Sequence, residues 1–143
     1  MNVKIKLVGD EYEKGKLPEY KRTGDACMDC YSRGFARILH GQRALVPLGF
    51  ALELPVGYEA IVRPRSGMSK AGVDVCIGTI DSNYRGEVMA CVVNNSGNTY
   101  VIGPGDRICQ LAIREAPQIT WEEVKELSDS NRGEKGFGSS GVK

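Results

Sequence analysis

A chain of 143 residues with 41% hydrophobic and 26% charged residues has the composition of one globular domain; at this length it buries roughly 68% of its unfolded surface without disulfide or metal staples. Nineteen Lys and Arg against eighteen Asp and Glu give a net charge of +1, which excludes a protein that holds nucleic acid mainly through phosphates and makes any anion site a local arrangement. The longest apolar run, Ile108 to Ile113, is interrupted by Gln110, and the N-terminus MNVKIKLVGDE has no signal h-region, so no membrane span is expected and the expected location is cytoplasmic.

Eighteen glycines and six prolines punctuate short runs of alternating or β-branched apolar residues. This spacing predicts an all-β fold, a double-sheet jelly roll or a similar closed form. In chain order the expected strands are 2–7, 43–47, 50–54, 58–65, 73–77, 86–94, 100–102 and 107–113. Turns are expected at Pro55-Val56-Gly57 and Gly103-Pro104-Gly105-Asp106. One short helix of a turn or two starts at Ser66 and is closed by Gly72. After Trp121 the apolar periodicity is lost and the chain becomes charged, then Gly/Ser-rich. This divides a β domain, 1–127, from a mobile C-terminal arm, 128–143.

Five cysteines, an odd number, fit a reducing compartment better than a disulfide framework. Cys27-x-x-Cys30 has the spacing of half a zinc site, but Cys76, Cys91 and Cys109 stand singly and His40 is the only histidine, so no second ligand pair completes it. The pair reads instead as two small, semi-buried hydrophobes.

Three segments carry candidate chemistry. In Y-E-A-I-V-R-P-R-S, Arg63 and Arg65 fall on one strand face and Ser66 follows where the helix starts. That is either an anion cradle suited to phosphate or a solvated face ending in an N-capping serine. In G-T-I-D-S-N-Y-R-G-E, Asp81 stands at the end of an apolar run, with Tyr84, Arg85 and Glu87 around a turn. Asp81 is either a general base for water or a turn-forming residue in a hairpin with a salt bridge, and the segment alone favours the second. In P-G-D-R-I-C-Q-L, alternation sets Arg107 and Cys109 on one face and Gln110 on the other, as in an ordinary hairpin strand. The tail matches G-x-G-x-x-G literally at Gly136 to Gly141, yet too few residues follow for a helix to open, so it is no dinucleotide fingerprint. It reads either as linker or as a flap whose Phe137 stacks on a base while hydroxyls and Arg132 meet a phosphate.

Taken in this order, the segments resemble the five motifs of the trimeric dUTP diphosphatases: Asp25 to Ser32, Pro64 to Gly67, Gly78 to Glu87, Gly105 to Leu111 and Arg132 to Gly141. The resemblance implies a jelly-roll subunit in a homotrimer whose active sites are shared between subunits. It implies hydrolysis of dUTP to dUMP and diphosphate with Mg²⁺, which limits uracil incorporation into DNA and supplies dUMP for thymidylate synthesis. By the same resemblance Asp29 holds the magnesium through water, and Asp81 activates the attacking water. Arg65, Ser66 and Gln110 contact the phosphates, Gly67, Gly78 and Ile80 also bind substrate, and Tyr84 packs under the deoxyribose. From the tail, Arg132, Gly136, Gly138, Ser139 and Ser140 close on the phosphates while Phe137 stacks on uracil.

The chain departs from the family pattern at two places. Cys27 and Cys30 replace the Gly and Leu of A-G-x-D-L, which bears on backbone geometry beside Asp29, and Val75 replaces an Asn that orders the uracil pocket. A dCTP deaminase of the same fold is the nearest alternative, and a phage-type member that also grips a regulatory protein is another. Length and the tyrosine and Gly-rich tail favour the diphosphatase.

Overall fold

A computed structural model describes residues 1–10, 14–134 and 136. Alternation of side chains along short strands decides the architecture. Among the described residues there are eleven strands: β1 (Lys4–Leu7), β2 (Met28–Tyr31), β3 (Ala36–Ile38), β4 (Arg43–Pro47), β5 (Phe50–Glu53), β6 (Tyr58–Arg63), β7 (Val73–Val75), β8 (Gly78–Ile80), β9 (Met89–Asn94), β10 (Tyr100–Ile102) and β11 (Arg107–Glu115). A single helix, α1 (Ser66–Lys70), lies between β6 and β7. All pairings are antiparallel. A four-stranded sheet, β2-β11-β6-β8, faces a three-stranded one, β4-β9-β7, and two ribbons, β1-β5 and β3-β10, complete the jelly roll.

The core follows from this period of two. Ala60 and Val62 of β6, Ala90 and Val92 of β9 and Val73 and Val75 of β7 turn inward around Phe50, Leu48, Ile102 and Ile108, while their neighbours face out. Asn94 is the polar exception. Fully buried, its amide donates to the Ile38 and Asn98 carbonyls at 2.8 and 2.7 Å and accepts from the Ser96 N–H and hydroxyl, so none of its capacity is wasted in the core.

Several strand expectations shift. β2, β3 and β8 are additional to the strands expected from sequence, because β2 and β3 gain their register from partners far along the chain, β11 and β10. The expected strand 58–65 stops at Arg63, before Pro64, which has no N–H for the ladder. Strand 73–77 ends at Val75, and 86–94 begins only at Met89 because Glu87 is drawn away by Arg33. Ser66 does not cap α1: Arg65 occupies the N-cap with extended backbone and no side-chain cap bond, and Ser66 is the first helical residue.

Glu87 clasps this end of the molecule. Arg33 donates to both its oxygens, at 2.8 and 3.0 Å, and the Gly49 N–H donates at 2.9 Å. Gly49 has φ +75°, and Gly15 lies so close that a Cβ on it would sit 1.6 Å from the Gly49 carbonyl. Only glycine fits at either position. Val8 donates to the Gly49 carbonyl and Gly15 to that of Val8, so the N-terminal segment is docked on the same corner.

The Arg33 guanidinium, helped by the Gly49 N–H, holds the Glu87 carboxyl below its ordinary value of 4.5 against the opposing effect of burial. A carboxyl depressed in the folded state stabilises the fold above its unfolded value, and that stability is lost as pH falls through the folded value. Glu87→Gln should therefore cost about 2 kcal/mol at neutral pH. In urea unfolding across a pH series, the gap to the parent should close progressively below pH 4.5.

Candidate active site

The β2–β11 seam places the first cluster. Asp29 of β2 lies opposite Gln110 of β11, which lies opposite Arg63 of β6. Between Arg107 and Cys109 the register shifts by one residue, a bulge that adds Ile108 to β11. Ile108 and Cys109 are consequently both buried, and the strict alternation expected for this strand fails. Arg107 and Gln110, expected on opposite faces, come to one face, and both reach Asp29: Arg107 Nη1 donates to Oδ2 and Gln110 Nε2 to Oδ1, each at 3.2 Å.

Arg65 completes the cluster, its Nε 3.5 Å from Asp29 Oδ1 and its Nη1 donating to the Arg107 carbonyl at 2.9 Å. Asp29 itself is 6% exposed. The group lines an open cavity of about 490 Å³ together with Ser66, Lys21, Arg22, Asp25 and Cys27. Four cations face it against two carboxylates, Asp25 and Asp29, and one of the four, Lys21, is also ion-paired with Glu19 beside the cavity. Asp25 accepts from the backbone N–H groups of Lys21 and Arg22 at 3.1 and 2.8 Å, which sets both cations on the rim. A near-neutral chain thus concentrates positive charge at one place, with hydroxyl and amide donors beside it, an arrangement suited to a polyphosphate. Lys21, Arg22 and Arg107 were not among the residues expected to bind. Adjacent cations just before Asp25 were the available signal for the first two, whereas Arg107 required the bulge. Gly67 is exposed on α1 beside Ser66. The Arg63 side chain is not part of this lining, so the same-face cradle of Arg63 and Arg65 is not formed.

A second cavity, of about 220 Å³, is lined by Gly78, Ile80, Asp81, Tyr84, Val62 and Val88. Asp81 follows β8 and opens a turn in which its carbonyl accepts from the Tyr84 N–H at 3.1 Å. The Tyr84 hydroxyl donates to the Glu87 carbonyl, and its ring lies over Gly86, where a Cβ would come within 2.3 Å of the hydroxyl oxygen. The hairpin salt bridge is not made: Arg85 donates to the Ser82 and Tyr84 carbonyls and Glu87 belongs to Arg33. Among the described residues the Asp81 carboxylate is exposed and makes no hydrogen bond or ion pair, so it is open to an external proton donor.

The two cavities do not meet within one chain. Asp29 and Asp81 lie at opposite edges of the sheet β2-β11-β6-β8. Three strand spacings, roughly 14 Å, separate them laterally. Asp81 lies beyond Ile80, which pairs with Ala60, whereas Asp29 is level with Arg63, an offset of roughly 13 Å along the strands. Of the tail residues, Arg132 and Gly136 are exposed and line neither cavity. Phe137, Gly138, Ser139 and Ser140 lie outside the described residues.

Comparison with known proteins gives a family match over residues 13–141, to the dUTPase family. A deoxyuridine 5'-triphosphate nucleotidohydrolase of Orientia tsutsugamushi is 44% identical, with each chain covered completely. A Staphylococcus bacteriophage 80alpha dUTPase solved with dUpNHpp superposes with a TM-score of 0.90 at 28% identity, over 99% of both chains. A mutant dUTPase of phage phi11 of S. aureus, described as coordinating a structural Mg(II) ion, superposes with a TM-score of 0.80 at 23% identity, over 88% of this chain and 98% of its own, a likeness of fold.

The Asp29 cluster can be probed without any assay of activity. Asp29→Ala leaves Arg65 and Arg107 facing each other without their shared counter-ion. It should cost about 2–3 kcal/mol, less than for a fully buried pair because both guanidinium groups keep solvent contact. Thermal unfolding at low ionic strength should show the loss, and added inorganic phosphate should recover part of it by filling the cavity.

Proposed function

The chain belongs to the dUTPase family, and on that premise we propose that it hydrolyses dUTP to dUMP and diphosphate at sites shared between copies of itself. The observation that carries this reading is the division of the family's motif residues between two cavities at opposite edges of one sheet: phosphate-binding groups around Asp29, a free carboxylate at Asp81. A nucleoside triphosphate seated on one subunit's cluster is reached by the Asp81 turn of a neighbour. The family match and the nucleotidohydrolase relative favour hydrolysis over cytosine deamination.

In this reading the γ- and β-phosphates lie against Arg65, Arg107, Ser66 and Gln110, with Gly67 allowing close approach. Asp81 takes a proton from water as its oxygen bonds to the α-phosphorus. The bond from that phosphorus to the bridging oxygen breaks, and the electron pair leaves on diphosphate, whose charge the guanidinium groups neutralise. Gly78 and Ile80 wall the base pocket, and the Tyr84 ring supports the deoxyribose and leaves no room for a 2′-hydroxyl.

Magnesium fits this donor set through water. Among the described residues no three His, Cys, Asp or Glu side chains converge, and both Asp29 oxygens already have partners. That suits a cation which keeps its waters and shares substrate phosphates. When bound it supplies charge neutralisation on the phosphate oxygens, with Asp29 accepting from its waters.

Assembly as a homotrimer is supported by two surfaces. Residues 116–134 form no strand or helix and expose Ile119, Trp121 and Leu127, the last two about nine-tenths accessible. An apolar groove of about 480 Å³ runs between Val3, Ile5, Leu17, Leu52, Leu111 and Ile113. In this reading each is covered by another copy. The core ends with β11 at Glu115, twelve residues before the expected boundary at 127; in this reading the arm, 128–143, closes over bound nucleotide with its Arg132, Gly136, Phe137, Gly138, Ser139 and Ser140. No helix of the described residues is long and apolar enough to cross a membrane.

Asp81→Asn should lower dUTP turnover about 100-fold or more with nucleotide affinity largely kept. Co-assembling inactive Asp81→Asn with inactive Asp29→Asn should restore a fraction of the activity, since some sites then combine an intact residue of each kind. Recovery of none would show that each subunit works alone. Deleting residues 132–143 should leave Tm and oligomer mass unchanged while dUTP hydrolysis collapses; full-rate hydrolysis by the truncated protein would make the tail a linker.

A further inference from the structure

Four of the five cysteines are brought into two cross-strand pairs, three of them, Cys76, Cys91 and Cys109, standing singly in the sequence. Cys109 of β11 lies directly opposite Cys30 of β2. Continuing the β7–β9 register one residue past Val75–Val92 sets Cys76 opposite Cys91, and the Cys76 N–H donates to the Cys91 carbonyl at 2.9 Å. Opposed residues at such a hydrogen-bonded position have Cα atoms about 5.5 Å apart, inside the disulfide range of about 4.4–6.8 Å, while the Cβ atoms, which a disulfide holds at about 3.5–4.5 Å, have to come closer; the two thiols already share a hydrogen bond. All are free thiols.

The two pairs differ in access. Cys30 and Cys109 are wholly buried, the Cys30 thiol is held protonated by its hydrogen bond with Cys109 and by burial, and it also contacts the Met28 carbonyl. Cys76 and Cys91 lie on the outer face, because their neighbours Val75, Ala90 and Val92 take the inward positions. Cys76 is exposed and Cys91 half-buried. Burial first, then the hydrogen bond with Cys76, raises the Cys91 thiol, while Arg43 acts the other way. Cys76 is therefore the thiol an external reagent meets first.

We propose that Cys76 and Cys91 are a redox-active dithiol, a modification site that closes by exchange with a low-molecular-weight disulfide such as glutathione disulfide. The Cys76 thiolate attacks one glutathione sulfur, the glutathione S–S bond breaks, and one glutathione leaves as thiol with the proton Cys76 lost. The Cys91 thiolate then attacks the Cys76 sulfur of the mixed disulfide and the second glutathione leaves with the second proton. Two protein thiols are oxidised and one glutathione disulfide is reduced. The closed loop, residues 76–91, contains Gly78, Ile80, Asp81 and Tyr84, so the bond staples the base of the segment that lines the second cavity. The pair is already in register and Cys76 lies one residue past the end of β7, so closure draws the two Cβ atoms together by a local adjustment at the strand end and lowers the entropy of the unfolded chain.

The full chain is incubated in graded mixtures of reduced and oxidised glutathione, remaining thiols are alkylated without unfolding, and peptides are mapped by mass spectrometry without reduction. The expected result is a Cys76–Cys91 linked peptide, with Cys30 and Cys109 reduced, and a Tm that rises on oxidation and returns with dithiothreitol. In Cys91→Ser the reaction should stop at a glutathione adduct on Cys76. A persistent adduct on Cys76 of the parent, linkage through any other cysteine, unreacted Cys76, or a fall in Tm on closure would each overturn the proposal.

Discussion

The buried carboxylate of Asp29 is the constraint around which this molecule is arranged. It sits in the seam between β2 and β11, nearly out of solvent, and a charge so placed is tolerable only when surrounded by donors. Arg65, Arg107 and Gln110 supply them, and each arrives from a different local cause. Arg65 is delivered where Pro64 ends β6 and α1 begins. Gln110 is delivered by register. Arg107 reaches the same face only because one extra residue, Ile108, is accommodated in β11. Without that bulge Arg107 and Gln110 would point to opposite sides and Asp29 would lose a counter-ion.

The same cluster turns a structural necessity into a cationic surface. Two guanidinium groups drawn toward one carboxylate keep donors to spare, and Lys21 and Arg22 are set beside them by the Asp25 turn. Charge is thereby concentrated in a chain whose net charge is only +1. At the far edge of the sheet the cation next to Asp81 in the turn, Arg85, is taken up by the Ser82 and Tyr84 carbonyls, while Glu87 engages Arg33 and Gly49.

Sheet order then imposes a division of labour. With β2 at one edge and β8 at the other, the Asp29–Arg65–Arg107 cluster and Asp81 face different cavities. A site using both is a property of an assembly, and the exposed Ile119, Trp121 and Leu127 and the groove beside β1 are the surfaces through which copies of this chain would be held.

Much of this was legible from residue order alone. Period-two alternation and Gly/Pro punctuation determined an all-β domain with strands such as Arg43–Pro47 and Tyr100–Ile102, because burying one face of a short strand is a local requirement. The spacing of five motifs determined the family. What only the tertiary structure decided was non-local: that β2 pairs with β11 and β3 with β10, that Arg107 joins Gln110, that Arg63 stays out of the cradle, and that scattered cysteines stand opposite one another. Registers between segments distant in sequence, and the bulges that shift them, depend on which core packing wins across the whole chain, and no window of a few residues contains that information.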